Sequence, residues 1–453
     1  MFARTNWLFL ILLTLAAGPL HAESLDPSFS GDGLMSGSSG EVGVNFHHVA
    51  LLGEQDGNLI EVVEVPHNGV CADTVCIGIT RYTSAGNSIA GKLKAGGLVA
   101  VTSAQLDNDG RIVVVGAIAD GNSGVFRFKR DLSDDTSFSG DGAQTVSFGA
   151  QSLPRSVAID IRNNIVVVGN VQLSSTDSDF GVARLQENGS MSWSRTVAFD
   201  LGPTGRFDTA NAVAIGADGK IVVVGTAFDS ALQLSRVALA RLTIDGDNDT
   251  SFCTACSTNP YPSINSGKAI YYFGANDGHQ DSAFAVDTVS DGGFLVAGLT
   301  EIPNGPSNSG AIARFDLNGN YVNEYLDLVA NGRTVFYSVR VVRGAPLRAF
   351  VGGRMGSTGN QILFVEAFDD SFNPITNYGS CRTNNVGVCI YAGTFPGNYG
   401  PDYLRSLNID GQGRPLVAGE GVPNNGNENY IVSARITNNT GPLPDSIFHS
   451  GFQ

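Results

Sequence analysis

The chain has 453 residues, a formal charge of −16, and 57 glycines against 27 Lys and Arg. This acidic balance, with no basic cluster to interrupt it, excludes nucleic acid and anionic lipid surfaces as partners, because both recruit Lys and Arg. Glycine together with Asn and Asp in short phrases describes strands joined by tight turns, and helical segments are scarce.

At the N-terminus, Arg4 precedes an apolar run from Trp7 to Ala17, and Gly18-Pro19-Leu20-His21-Ala22 supplies a helix-breaking exit. That is the pattern of a signal peptide over residues 1–22. The run is too short to span a bilayer and no later stretch of about eighteen apolar residues follows, so no membrane span is expected in the exported chain. Residues 23–440 are expected to form one repeat domain. Residues 441–453 form a tail, in which Asp445 to Phe452 reads either as a sorting tail or as a remnant of the repeat.

Six cysteines fall in three close pairs, Cys71 with Cys76, Cys253 with Cys256, and Cys381 with Cys389. In an exported chain such pairs read as local disulfides that stiffen surface turns. Metal ligation is the competing reading for Cys253 and Cys256, although zinc needs four ligands and no second Cys or His pair follows at a matching distance.

One phrase recurs along the chain: an alternating strand, a turn with Asp-Gly or Asn, and an apolar run ending in glycine. AQLDNDGRIVVVG ends at Gly116, VAIDIRNNIVVVG at Gly169 and VAIGADGKIVVVG at Gly225. Weaker copies end at Gly298, around Gly352 and at Gly419, and the first copy, near Val63, lacks the glycine. After each glycine comes a strand ending in a basic or aromatic residue, such as FRFKR at Phe126 to Arg130 or GVARL at Gly181 to Leu185. A turn then leads to a Phe phrase, LDPSFSGDG at Leu25 to Gly33 or LSDDTSFSGDG at Leu132 to Gly142, and to one more strand.

Four short strands in each of seven repeats predict an all-β fold, a seven-bladed β-propeller of four-stranded antiparallel blades. A β-helix needs shorter coils, and a string of sandwich domains needs longer repeats. The VVVG run is too uniformly apolar for a half-exposed edge and suits a strand buried between blades. The first strand of the second repeat is hard to see near Leu93. The last strand, YIVSARI from Tyr430 to Ile436, lacks the Phe phrase that follows it elsewhere, so the final repeat is expected to close on Leu25 to Phe29.

These motifs resemble the delta-60 repeat of bacterial secreted β-propellers: LDPSFSGDG, DNDGRIVVVG with FRFKRDLSDDTSFSGDG, and GADGKIVVVG with LARLTIDGDNDTSF. The likeness covers nearly all of the chain after the signal peptide, with the first and the last two copies departing from it. It implies architecture and export, and no shared activity.

The nearest approach to a metal motif is Asp245, Asp247 and Asp249, spaced as in the first half of a calcium-binding loop. Thr250 stands where that loop needs glycine and Cys256 where it needs a bidentate Glu, so a turn with extra Asp is the plainer reading and no cofactor is expected. For nucleophilic catalysis there is no Gly-x-Ser-x-Gly elbow, and His47, His48, His67, His279 and His449 suit structural roles. Most Asp residues lie in turns where the side chain can bond its own backbone.

Two insertions replace the short turn after the Phe phrase, Cys253 to Ser266 and Tyr378 to Val388, and are expected on one face. They carry Tyr261 in one, and Arg382, Asn384 and Asn385 in the other, as candidate binding residues. The chain is expected to act as a monomeric, secreted, periplasmic or surface binding module for a protein or glycan ligand. The competing reading is a polymer-degrading enzyme with carboxylates converging in the propeller channel.

Overall fold

The computed structural model describes residues 25–31, 34–37, 46–67, 71, 73–203, 206–254, 256, 267–275, 278–301, 308–328, 333–343, 348–357, 360–375, 388–390, 399–423 and 430–436. The signal segment, the tail, Cys381, Tyr261, Arg382, Asn384 and Asn385 lie outside them, as does the side chain of Cys389.

Among the described residues, hydrogen bonding builds six sheets. Sheet 1 contains His47–Gly53, Leu59–Pro66, Val75–Tyr82 and Ser88–Lys94, and sheet 2 contains Leu98–Leu106, Ile112–Ile118, Ser123–Phe128 and Ala143–Val146. Leu93 therefore belongs to the last strand of sheet 1, and the strand sought near it begins at Leu98. Sheet 3 has eight strands in two antiparallel halves. One half is Gln151–Ile159, Ile165–Ser174, Asp177–Leu185 and Met191–Val197; the other is Arg206–Ile215, Ile221–Asp229, Leu234–Leu242 and Lys268–Tyr271. A short parallel pairing of Asp177 with Arg206 and Ser178 with Phe207 joins them. Sheet 4 contains Gln280–Thr288, Phe294–Glu301, Ser309–Phe315 and Tyr321–Leu326. Sheet 5 contains Thr334–Val342, Arg348–Ser357, Asn360–Phe368 and Val388–Ile390.

Sheet 6 joins the N-terminal described segment to the C-terminal one. Tyr399–Ile409, Pro415–Pro423 and Tyr430–Arg435 are completed by Leu34–Gly37, and Leu25 bridges Ile436. The leading strands of successive units pack side by side in chain order, and Tyr399–Ile409 packs on His47–Gly53, so the row returns to its start. This all-β architecture is a β-propeller. The apolar run Ile165 to Val168 is fully buried, because its sheet is covered on both faces by neighbours. The core is correspondingly split into clusters lying between adjacent units.

Every leading strand carries a β-bulge at the same register. The residues left out of the pairing are Val49, Thr102, Arg155, Asn211, Phe284, Tyr337 and Arg405. The glycine that ends the apolar run sits opposite the residue just before the bulge, as Gly169 opposite Pro154 and Gly225 opposite Ala210. A Cβ there would collide with the carbonyl oxygen of Leu153 or Thr209. In the sixth repeat this place belongs to Gly353 rather than Gly352, since Gly353 pairs with Phe336 and a Cβ on it would meet the carbonyl of Val335.

The Arg strand and the Phe phrase form one device. Arg127 is buried and its Nε donates to Asp135 Oδ2 at 2.7 Å, its Nη2 reaches Ser137 Oγ at 3.1 Å, and its guanidinium lies 4.8 Å from the Phe138 ring centre. Its Nη1 then donates to the carbonyl of Glu187 in a turn of the next unit, at 2.5 Å. Arg435 repeats this with Asp26, Ser28, Phe29 and the Ser84 carbonyl, and Arg241 with Asp249, Ser251, Phe252 and the Leu317 carbonyl. Burial pushes the Asp135 carboxyl up, but Ser137 and the Arg127 guanidinium outweigh it and hold the group below the usual carboxylate range. Sheet 5 replaces the ion pair with Ala367 and Ile375, as the matching backbone bond from Ile375 N to the Ala367 carbonyl shows.

Breaking one such buried pair leaves a charge without its partner, so Arg127→Ala should destabilise the protein by about 3 kcal/mol in urea unfolding. Arg127→Ala combined with Asp135→Ile, which copies sheet 5, should lose clearly less. Equal losses in the two variants would contradict the ion-pair account.

Candidate functional site

A cavity of about 550 Å³ runs along the axis of the ring, lined by the leading strand of every unit. All of the bulge residues face it. A bulge re-aims the side chain of its extra residue, and here it turns each one toward the axis. The lining is uneven around the ring: Val49 and Thr102 occupy one arc, while Arg155, Asn211, Phe284, Tyr337 and Arg405 follow one another around the other.

The second arc combines charge, amide and aromatic surface. Phe284 and Tyr337 have ring centres 5.4 Å apart, and Arg354 lies 5.5 Å from the Tyr337 ring and 5.6 Å from that of Tyr403. Asn211 Nδ2 donates to the Ala283 carbonyl at 2.8 Å, which fixes its amide. Arg405 is exposed on the Tyr403 ring at 5.7 Å and donates to Glu420 at 3.3 Å. Arg155 is exposed and has no ion pair or hydrogen bond among the described residues. Deeper along the strands, Arg340 donates to Asn408 Oδ1 at 3.1 Å, and Arg343 adds another exposed cation.

Carboxylates are sparse in this cavity, and those present are engaged. Asp287 accepts from the amides of Thr288 and Val341, each at 2.8 Å. Asp410 accepts the amides of Gln412 and Arg414 and the Arg414 guanidinium at 2.7 Å. Arginines therefore dominate the electrostatics of the cavity in a chain whose formal charge is −16. Low-dielectric walls focus such a field on an incoming anion.

The other sequence candidates fall elsewhere. Asp249 is buried against Arg241 and Lys220, at 2.7 and 3.0 Å, while Asp245 and Asp247 are exposed in a tight turn, so the three do not gather around a common point. Cys71 is bonded to Cys76 and Cys253 to Cys256, with Cα atoms 5.8 and 5.0 Å apart, which answers the metal reading of the second pair. Cys253, at a φ of 58°, takes the place of Ser30 and Ser139 after the Phe phrase, so the insertion there begins on a turn the repeat already makes. His47 and His48 lie at the join between the first and last sheets, on Glu420 at 3.3 Å and Glu61 at 3.4 Å. Burial and the Glu420 hydrogen bond act oppositely on His47, and the bond wins, raising its pKa.

The bulge residues share no motif of identity, yet the sequence holds a signal for them. The same fourteen-residue distance separates Thr102 from Gly116, Arg155 from Gly169, Asn211 from Gly225, Phe284 from Gly298 and Arg405 from Gly419. Because the residue type varies at that position while the spacing holds, no motif of residue identities could find it.

A family model described as "Domain of unknown function (DUF5122) beta-propeller" matches residues 216–252. No curated protein sequence matches the chain. Similar solved structures include a protein of unknown function from Dyadobacter fermentans, 11% identical, covering 89% of this chain and all of that one with a TM-score of 0.44. The β-propeller domain of the Trilobed protease from Pyrococcus furiosus is 10% identical, with coverages of 89% and 98% and a TM-score of 0.44. The polysaccharide lyase Uly1 is 9% identical, with coverages of 86% and 90% and a TM-score of 0.47. Likeness at this level carries nothing about activity. Among the described residues no helix is long and apolar enough to cross a membrane.

At the outset of the leading strands, a buried polar side chain meets the incoming backbone: Ser152 Oγ accepts the Phe148 amide at 2.9 Å, and Asp208 Oδ2 the Phe199 amide at 2.6 Å. Asp281 holds the same register, fully buried, and burial pushes its carboxyl up to about 7. A folded-state pKa raised above the unfolded value of about 3.9 means that the folded protein holds a proton which the unfolded chain gives up. The stability this contributes is complete at low pH and is lost as pH rises from about 4 to about 7. Asp281→Asn should thus gain thermal stability relative to the parent between pH 5 and pH 8, read from Tm at each pH; a difference that does not change with pH would refute this.

Proposed function

We propose that the chain is an exported, monomeric seven-bladed β-propeller of four-stranded blades, the eight-stranded sheet counting as two, and that it binds an anionic, ring-bearing ligand in its central cavity. The ligand chemistry that fits is the end of an acidic polysaccharide. The observation that carries the reading is the bulge ring, which aims Arg155, Asn211, Phe284, Tyr337 and Arg405 into one space. Arginine suits a carboxylate through paired, planar hydrogen bonds, and an aromatic face suits a sugar ring. A cavity of about 550 Å³ is of ordinary size for a small ligand or a chain end. The signal-peptide pattern and the disulfides support export, and the resemblance to the delta-60 repeat supports the same blade architecture.

The enzymatic alternative, acid–base work by channel carboxylates, needs a carboxyl group free to exchange a proton with substrate. Asp287 and Asp410 are both committed to backbone amides, which favours binding over that chemistry. Tyr261, Arg382, Asn384 and Asn385 lie outside the described residues, in the insertions that follow the Phe phrase in sequence. They form a second contact surface in this reading.

The reading is tested by affinity electrophoresis in alginate and polygalacturonate gels, with dextran as the neutral control. Retardation in the acidic gels alone is expected, and added salt should weaken it. Arg155→Ala, at an exposed residue without partners, should weaken binding about tenfold while leaving Tm unchanged, a loss of about 1.4 kcal/mol. Equal retardation in dextran, or undiminished binding by Arg155→Ala, would remove the cavity from consideration.

A further inference from the structure

Away from the cavity, at the junction of the two halves of sheet 3, three carboxylates converge, and among the described residues only one of them, Asp200, has an ion-pair partner, the exposed Arg206. Asp177 and Asp179 lie two apart on Asp177–Leu185, so their side chains leave the same face of the strand. The parallel pairing of Asp177 with Arg206 folds the intervening link back on this strand and brings up Asp200, which has a φ of 51°. One oxygen from each of Asp177, Asp179 and Asp200 lies within 4.8 Å of the others.

An independent observation concerns the residue behind them. Asp208 is fully buried, and its Oδ2 accepts the amides of Phe199 at 2.6 Å and Asp200 at 3.4 Å, which sets it against the Asp200 backbone. Among the described residues its Oδ1 has no hydrogen-bond partner, and neither has Oδ1 of Asp177 or of Asp179, the latter only 5% exposed. Oxygens withdrawn from water to this degree are costly without a donor or a cation.

The next seam in the ring has a cation at the corresponding place. Asp179 pairs with Val171, two residues past Gly169, and Arg236 pairs with Ala227, two past Gly225, so the two hold the same place in successive repeats. Asp208, opposite Ala227, and Asp281, opposite Thr300 two past Gly298, are likewise equivalent. The later seam therefore sets the Arg236 guanidinium, a cation, near Asp281, where the earlier seam sets the Asp179 carboxylate near Asp208. Two cations lie nearby: Arg206 bonds Asp200 of the cluster itself at 3.2 Å in an exposed pair, and Lys268 donates to the Ala198 carbonyl at 2.7 Å.

We propose that Asp177, Asp179 and Asp200, with Asp208 behind them, bind a divalent cation of the calcium class, which takes the place that a guanidinium holds in the following repeat. Hard carboxylate oxygens in a flexible arrangement suit calcium better than the compact octahedron that magnesium demands. The site locks the link between the two halves of sheet 3 onto the strand beside it.

The test is thermal denaturation of the EDTA-treated protein titrated with calcium chloride, and separately with magnesium chloride. A saturable rise in Tm with calcium, larger than with equal magnesium, is expected. The rise should vanish in Asp177→Asn/Asp179→Asn. Asp179→Arg, which copies the next repeat and guards against a double variant that fails to fold, should show a higher Tm than the calcium-free parent and no calcium response. No shift in the parent, an equal shift in the variants, or a magnesium response as large as that to calcium would overturn the proposal.

Discussion

The close approach of two backbones at each glycine governs much of this molecule. Opposite the end of every apolar run the leading strand bulges, and from Gly116 to Gly419 a Cβ at that point would strike a carbonyl oxygen. Glycine is therefore the residue that permits the bulge, and the bulge is what turns one side chain per unit toward the axis. The first repeat shows that the rule has slack: Val63 stands opposite His48, and the register still shifts across Val49. On its other side Val63 faces Gly78, where a Cβ would meet the Val63 side chain.

The seams between units are held by a different device, and not uniformly. Arg127, Arg241 and Arg435 each pair with an Asp of their own unit, stack on a Phe and donate to a carbonyl of the next, so one side chain couples two sheets. Arg184 instead pairs with Asp160 in its own first turn and reaches the Ile244 carbonyl. The closing seam has a small apolar cluster around Phe29, Leu51 and Leu416, supplemented by polar links across it from Ser433 to Glu61 and from the His48 amide to Glu420. There the N-terminal and C-terminal described segments meet, and hydrogen bonds with defined directions add to a small apolar contact.

Charge is distributed against the chain's overall balance. The acidic residues serve turns, staples and the junction in sheet 3, whereas the axis collects Arg155, Arg340, Arg343 and Arg405. Composition alone points away from anionic partners, because it averages over a surface that the fold sorts into regions of opposite sign. The same averaging hides the difference between Asp249, which pairs with Arg241, and Asp179, which has no ion-pair partner among the described residues.

The periodic phrases were enough to read an all-β propeller, the local disulfides of Cys71 with Cys76 and Cys253 with Cys256, and the joining of Tyr430–Arg435 to the N-terminal segment. Each of these follows from short-range order: alternation sets strands, glycine and Asp-Gly set turns, and cysteines a few residues apart can meet without the rest of the fold. The strand signals failed where a repeat drifts, as at Leu93, which ends one sheet rather than beginning the next, and at Gly352, whose neighbour Gly353 takes the bulge. Sites lay further out of reach. Arg155, Asn211, Phe284, Tyr337 and Arg405 share a position but no residue type, and Asp177, Asp200 and Asp208 come from three separate segments. Their meeting depends on ring closure and on how one unit packs against the next, and those are properties of the assembled sheets that no local pattern encodes.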